Sequence, residues 1–129
     1  MKRFFKKENG QAIVELAITL PILLSLLCGI LDFGWIYSNK LIISNCSREG
    51  ARTAMFTNDS NIQAIVCSKV KESAPTFLRD KLTVSVTYDS DGDTNVTVSS
   101  PIQVLTPISG IFLGGQILTL SSSTVMAAG

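Results

Sequence analysis

Residues 10–31 read GQAIVELAITLPILLSLLCGIL, and whether this stretch crosses a membrane decides how the rest of the chain can fold. No residue from Leu16 to Leu31 is charged. As a helix that run rises roughly 24 Å, short of the ~30 Å hydrocarbon core of a bilayer. Extending it back to Ala12 supplies the missing length and brings Glu15 inside. A carboxylate costs about 3 kcal/mol at the bilayer centre and less towards the edge, which the surrounding leucines and isoleucines offset. The stretch therefore reads as a transmembrane helix.

The flanks orient it. Of the 11 basic residues, Lys2, Arg3, Lys6 and Lys7 precede the apolar run, against the single acid Glu8. A basic tail is retained inside, so Met1 is expected in the cytoplasm and everything beyond about Tyr37 outside. Trp35 and Tyr37 then fall at the outer interface, and Asp32 lies near it with no need of a partner. A cleaved secretory signal fits the basic tail, but no small-x-small site follows the run, whose exit reads CGILDFGWIY. Cys28 follows Leu26-Leu27 and so does not match a lipoprotein signal.

The rest of the composition is restrictive. The chain of 129 residues carries a formal net charge of +1, with no bias towards nucleic acid. It contains no histidine, which excludes a histidine-based triad and histidine-ligated metal. Cys28, Cys46 and Cys67 form no CxxC or zinc spacing, and no Ser-x-x-Lys or nucleophile-elbow motif occurs. Neither catalytic nor metal-ligating residues are expected, nor a cofactor.

A basic leader ending in glycine, a glutamate five residues later and then a membrane helix resemble the processing site of type IV pilin-like proteins. The match extends through Val14-Glu15, Pro21, the stretch from Gly29 to Gly34 (GILDFG) and the stretch from Arg48 to Arg52 (REGAR). In these residues the chain resembles the TadE-like family of the tight-adherence (Tad/Flp) pilus systems. Leu16 departs from the pattern, since an aromatic residue often follows the glutamate. The resemblance implies a pseudopilin-like protein of the bacterial cytoplasmic membrane, cut by a prepilin peptidase between Gly10 and Gln11. Its implied partners are other pilin-like subunits and the Tad assembly machinery, besides the bilayer itself. Glu15 would be position five of the mature chain, where it can neutralise the new α-ammonium of a neighbouring subunit. Such a pair is favoured in a low-dielectric helix bundle. Without a neighbour, Glu15 would reach the inner headgroups or pair with Lys6 or Lys7. Pro21 either kinks the helix or marks a point where it bends on leaving the bilayer.

Outward of Tyr37 the pattern stays helical, so one helix is expected from about Gln11 to Phe56. Cys46, Gly50 and Ala54, with Ser47 and Ala51 beside them, form a face of small residues that admits another backbone. The alternative is that Gly50 caps the helix. Glu49 and Arg52 are spaced to pair. Asp59 or Ser60 can cap a short second helix over 61–73, which Ala74-Pro75 ends. The period then changes to two. Residues 82–88 (LTVSVTY) and 94–100 (TNVTVSS) read as a hairpin about the turn DSDGD, and 116–127 as a third strand. The DSDGD acids lack the pattern of a calcium loop. Residues 100–115 (SPIQVLTPISGIFLGG) are apolar and either cover the sheet or touch membrane. Cys46 and Cys67, on consecutive helices on the oxidising side, are candidates for a disulfide.

The expected fold is α+β and pilin-like: a long N-terminal membrane helix extending outward, a short second helix and a small three-stranded antiparallel sheet. It divides into a leader (1–10), the membrane helix with its extension (11–57) and an extracytoplasmic module (58–129). The expected role is that of a minor pilin-like subunit or assembly factor, acting through helix packing. The alternative is a single-pass tethered module that binds a partner and stays out of any filament.

Overall fold

The structure, a computed structural model, describes residues 4–57, 60–112 and 114–127. It is α+β, as the sequence suggests. Helix α1, Phe4–Phe56, is unbroken through Pro21 and rises roughly 80 Å. It begins within the leader, ahead of the expected start at Gln11; Met1, Lys2 and Arg3 lie outside the described residues. Its stretch from Gly10 to Leu31 is exposed apart from the partly covered Cys28. Leucines and isoleucines point outwards all round, as lipid rather than water requires.

Beyond Leu31 one face of α1 is covered at helical spacing: Asp32, Asn39, Ile43, Cys46, Ser47, Gly50, Ala51 and Ala54 are buried. The helix continues through Gly50 rather than ending there. Against this face lies α2, Ile62–Ser73, held by Val66 and Val70. Its N-cap is Asn61, which makes no side-chain cap bond; of the expected caps, Asp59 lies outside the described residues. Ala74 turns to extended backbone before Pro75 and a four-residue turn, α3, Thr76–Arg79, which plugs Leu78 into the core. The Arg79 guanidinium donates to the Lys71 carbonyl at 2.9 Å, closing the end of α2.

The three strands form an antiparallel meander in the order β1-β2-β3. They are β1, Thr83–Tyr88, β2, Thr94–Gln103, and β3, Ile117–Met126. On β2 the alternation is regular: Thr94, Val96, Val98, Ser100 and Ile102 face the helices, and the residues between them face outwards. β2 runs three residues past the expected end, through Pro101. It can do so because β1 stops pairing at Thr83↔Ser99, so the proline's missing N–H falls on an unpaired edge. Pairing with β3 continues to Gln103↔Ile117. The β1–β2 turn is closed by Gly92 at φ +84 and by Asp89 N–H to Asp93 O at 2.9 Å.

The β2–β3 connection contains a further helix that the sequence reading missed: α4, Pro107–Phe112, which packs on α1. The core joins Ile43, Cys46, Ala51 and Ala54 of α1 to Val66, Val70, Val84, Val96 and Val98. It is a small module built on the C-terminal half of α1.

Candidate functional site

Three groups of residues carry the chemistry, and they lie along α1. Nearest the N-terminus are Gly10, Gln11 and Glu15. Gly10 is within the helix, with open space where a Cβ would stand; as a glycine it weakens the helix locally. Glu15 is exposed, and its backbone carbonyl accepts a 2.8 Å bond from the Thr19 hydroxyl. Among the described residues no ion pair reaches its carboxylate. The side chains of Lys6 and Lys7 lie outside the described residues.

The second group is centred on Asp32, and here the structure corrects the expectation of an unpaired interfacial acid. Asp32 is 2 % exposed. One carboxylate oxygen accepts from the backbone N–H groups of Leu105 and Thr106, both at 3.1 Å, and the other from the Thr106 hydroxyl. The reason is topological. β2 runs back along α1 and stops beside Asp32, so the backbone N–H groups of Leu105 and Thr106, between β2 and α4, take its carboxylate as their acceptor. A carboxylate that accepts two backbone N–H bonds and a hydroxyl makes charge-assisted hydrogen bonds that hold this segment in place. Asp32 thus latches the β2–β3 connection to the C-terminal end of the apolar run.

Aromatic residues surround this level. Trp35 is half-buried and stacks on Phe77 (centroids 5.9 Å apart), so it serves the module's underside rather than standing free in the interface. Phe33 and Tyr37 stack with each other on the exposed face at 6.3 Å. A cavity of about 310 Å³ opens beside Trp35, lined also by Asn39, Phe77, Lys81 and Leu105. Trp35 Nε1 and Asn39 Oδ1 are buried nearby without a hydrogen-bond partner.

The third group is the small-residue face. A Cβ added at Gly50 would stand 2.7 Å from Val70 Cγ2, 3.1 Å from Val96 Cγ1 and 3.4 Å from Val66 Cγ1. Gly50 therefore lets α2 and β2 of its own chain approach the helix, and Ala54, 4 % exposed, adjoins the same core. Ser47 reinforces the contact: its hydroxyl lies 3.0 Å from the Val96 carbonyl, to which it donates, and 2.8 Å from Thr124 Oγ1, from which it can accept. Arg48 and Arg52 are exposed. The ion pair formed among the described residues is Lys69–Glu72 at 3.2 Å, not Glu49–Arg52.

Cys46 and Cys67, the candidate disulfide pair, are free thiols in the structure. Cys46 faces a groove shared with Ser73 and Pro75. Burial pushes the Cys46 thiol above its ordinary pKa. Among the described residues no cluster of His, Cys, Asp and Glu could hold a metal ion.

The sequence signal that could have revealed the Asp32 latch is the Thr106-Pro107 pair, a helix start. No curated protein and no solved structure matches the chain. Residues 10–52 match the family described as TadE-like protein, about a third of the chain. That segment runs from the glycine before the apolar stretch, through Glu15 and the Asp32 latch, to the small-residue face. Over this segment the chain is similar to the TadE-like family, and among the described residues it has one helix long and apolar enough to cross a membrane.

Proposed function

We propose that the protein is a minor pilin-like subunit or assembly factor of a Tad-type pilus. It is held in the bacterial cytoplasmic membrane by α1, with its N-terminus in the cytoplasm and its module outside. A prepilin peptidase cuts between Gly10 and Gln11, and Glu15 of one chain pairs with the new amine of a neighbour. Assembly into or under a surface pilus then proceeds by helix packing, without catalysis.

The observation that carries this reading is Glu15: a carboxylate four residues into the processed helix, exposed on an apolar surface. A lone charge there is unfavourable, and a second subunit bringing an ammonium to it removes that cost and fixes the axial register between helices. Because the small-residue face is filled by the chain's own module, contact between subunits is left to the apolar stretch and the outer surface of the module.

Replacing the gene by a Glu15→Gln version and counting surface pili tests the proposal. Loss of pili with normal membrane levels of the protein is expected. Normal piliation after deletion of the gene would instead favour a tethered surface module outside the pilus pathway.

A further inference from the structure

We propose that the β2–β3 connection is a second membrane contact, with α4 lying in the outer leaflet at the edge of the hydrocarbon. It goes beyond the pilus role and rests only on α1 spanning the membrane.

Placement comes first. β2 runs down α1 from the level of Ser47, which bonds to Val96, to the level of Asp32, which bonds to Leu105 and Thr106. Asp32 directly follows the apolar run, so the connection lies where α1 leaves the hydrocarbon. α4 then packs on α1. Cys28, one turn inward from Asp32 on the same face, is the one residue between Gly10 and Leu31 that is partly covered. Cover on α1 thus begins within one turn of Asp32.

Its surface suits lipid. Ile111 is 80 % exposed and Leu105 60 %, with Ile117 at the start of β3 and Phe33 on α1 also outward-facing. No charged residue occurs after Asp93. Acids cluster instead in the β1–β2 turn, and charges of both signs lie along α2 and α3. An apolar helical turn joined to a membrane span, flanked by the stacked aromatics Phe33 and Tyr37, has the composition of an interfacial contact. The backbone meets the lipid as a helical turn, and the N–H groups of Leu105 and Thr106 that lead into it are satisfied by the Asp32 carboxylate rather than left facing hydrocarbon. The consequence is that the module is held at a fixed height and tilt, rather than swinging on its helix.

The test uses the full chain with its three cysteines replaced by alanine, reconstituted one copy per lipid nanodisc. A polarity-sensitive fluorophore is attached to a single cysteine at position 111, at position 24 in the apolar run, or at position 90 in the β1–β2 turn. Quenching is read with nitroxides carried high on the lipid acyl chains and with aqueous iodide. At 111 we expect quenching by the lipid nitroxides, loss of iodide quenching and a blue-shifted emission, whereas position 90 shows the reverse. Iodide quenching at 111 equal to that at 90 would overturn the inference. So would protection from both quenchers, which would mean that protein covers the connection. Failure of lipid quenching at position 24 would defeat the spanning of α1 itself, and the inference with it.

Discussion

Adding one methyl group at Gly50 tests whether the small-residue face of the family segment is built for the chain's own module. In Gly50→Ala the new Cβ stands 2.7 Å from Val70 Cγ2 and 3.1 Å from Val96 Cγ1, where carbons prefer about 3.5–4.0 Å. Val70 and Val96 are fully buried, so neither can swing into open space. Relief requires α2 or β2 to shift by several tenths of an ångström, and overpacking of this kind costs about 1–3 kcal/mol. Alanine recovers about 1 kcal/mol of helix propensity, leaving a net loss of about 0–2 kcal/mol. The sharper measure is the coupling with Val70→Ala, which on its own leaves a cavity. In the double variant the added methyl enters the space that Val70 has vacated, so the losses should fall short of their sum by about 1 kcal/mol or more. Denaturant unfolding of the full chain in micelles, followed by the fluorescence of Trp35, the chain's single tryptophan, reads all three variants. If Gly50→Ala stabilised the protein and the two changes were additive, the face would not be packed on the module.

Three further outcomes follow. Asp32→Ala deprives two backbone N–H groups and the Thr106 hydroxyl of their acceptor, at about 1–3 kcal/mol for each buried group left unpaired. With some relief from headgroup water, about 2–4 kcal/mol of local stability should be lost, visible as faster amide exchange over 104–116 with the β1–β2 turn unchanged; Asp32→Asn, which keeps one oxygen, should lose about half. Cys46, 2 % exposed and with its pKa raised by burial, should resist alkylation until the protein unfolds, whereas the half-buried Cys67 reacts sooner. Because the unfolded thiol ionises near 9.0 while the buried one stays protonated, Cys46 contributes stability below that pH that is lost as pH climbs towards the folded value; Cys46→Ala should make the alkaline decline in the unfolding midpoint shallower. Glu15→Gln lies far from the core and should leave module unfolding unchanged while removing self-association of the chain in membranes, measured by energy transfer between labelled copies.

Local periodicity made much of this legible. The apolar run, the helical spacing that continues beyond it and the two-residue alternation of Val84, Val86, Val96 and Val98 each declare an element by its own pattern. What remained hidden depends on distant partners. Asp32 meets residues 73 and 74 positions away, and only the direction and length of β2 bring them together. Pro101 disguised that length, since a proline in a central strand argues against it until β1 is known to stop short. α3 and α4 are too short for a helical period to show. The small-residue face announced close approach but not whose backbone approaches. Adjacent helices alone did not settle whether Cys46 and Cys67 pair, since that depends on how α2 is set against α1; both are free thiols in the structure.

The most direct test of the pilin-like reading is the N-terminus of the protein taken from its native membranes, by intact mass and terminal peptide. A chain beginning at Gln11, and left uncut in a Gly10→Ala variant, is the expected result. An intact leader in both would contradict prepilin-type processing, and Glu15 would then lack the amine with which it is proposed to pair.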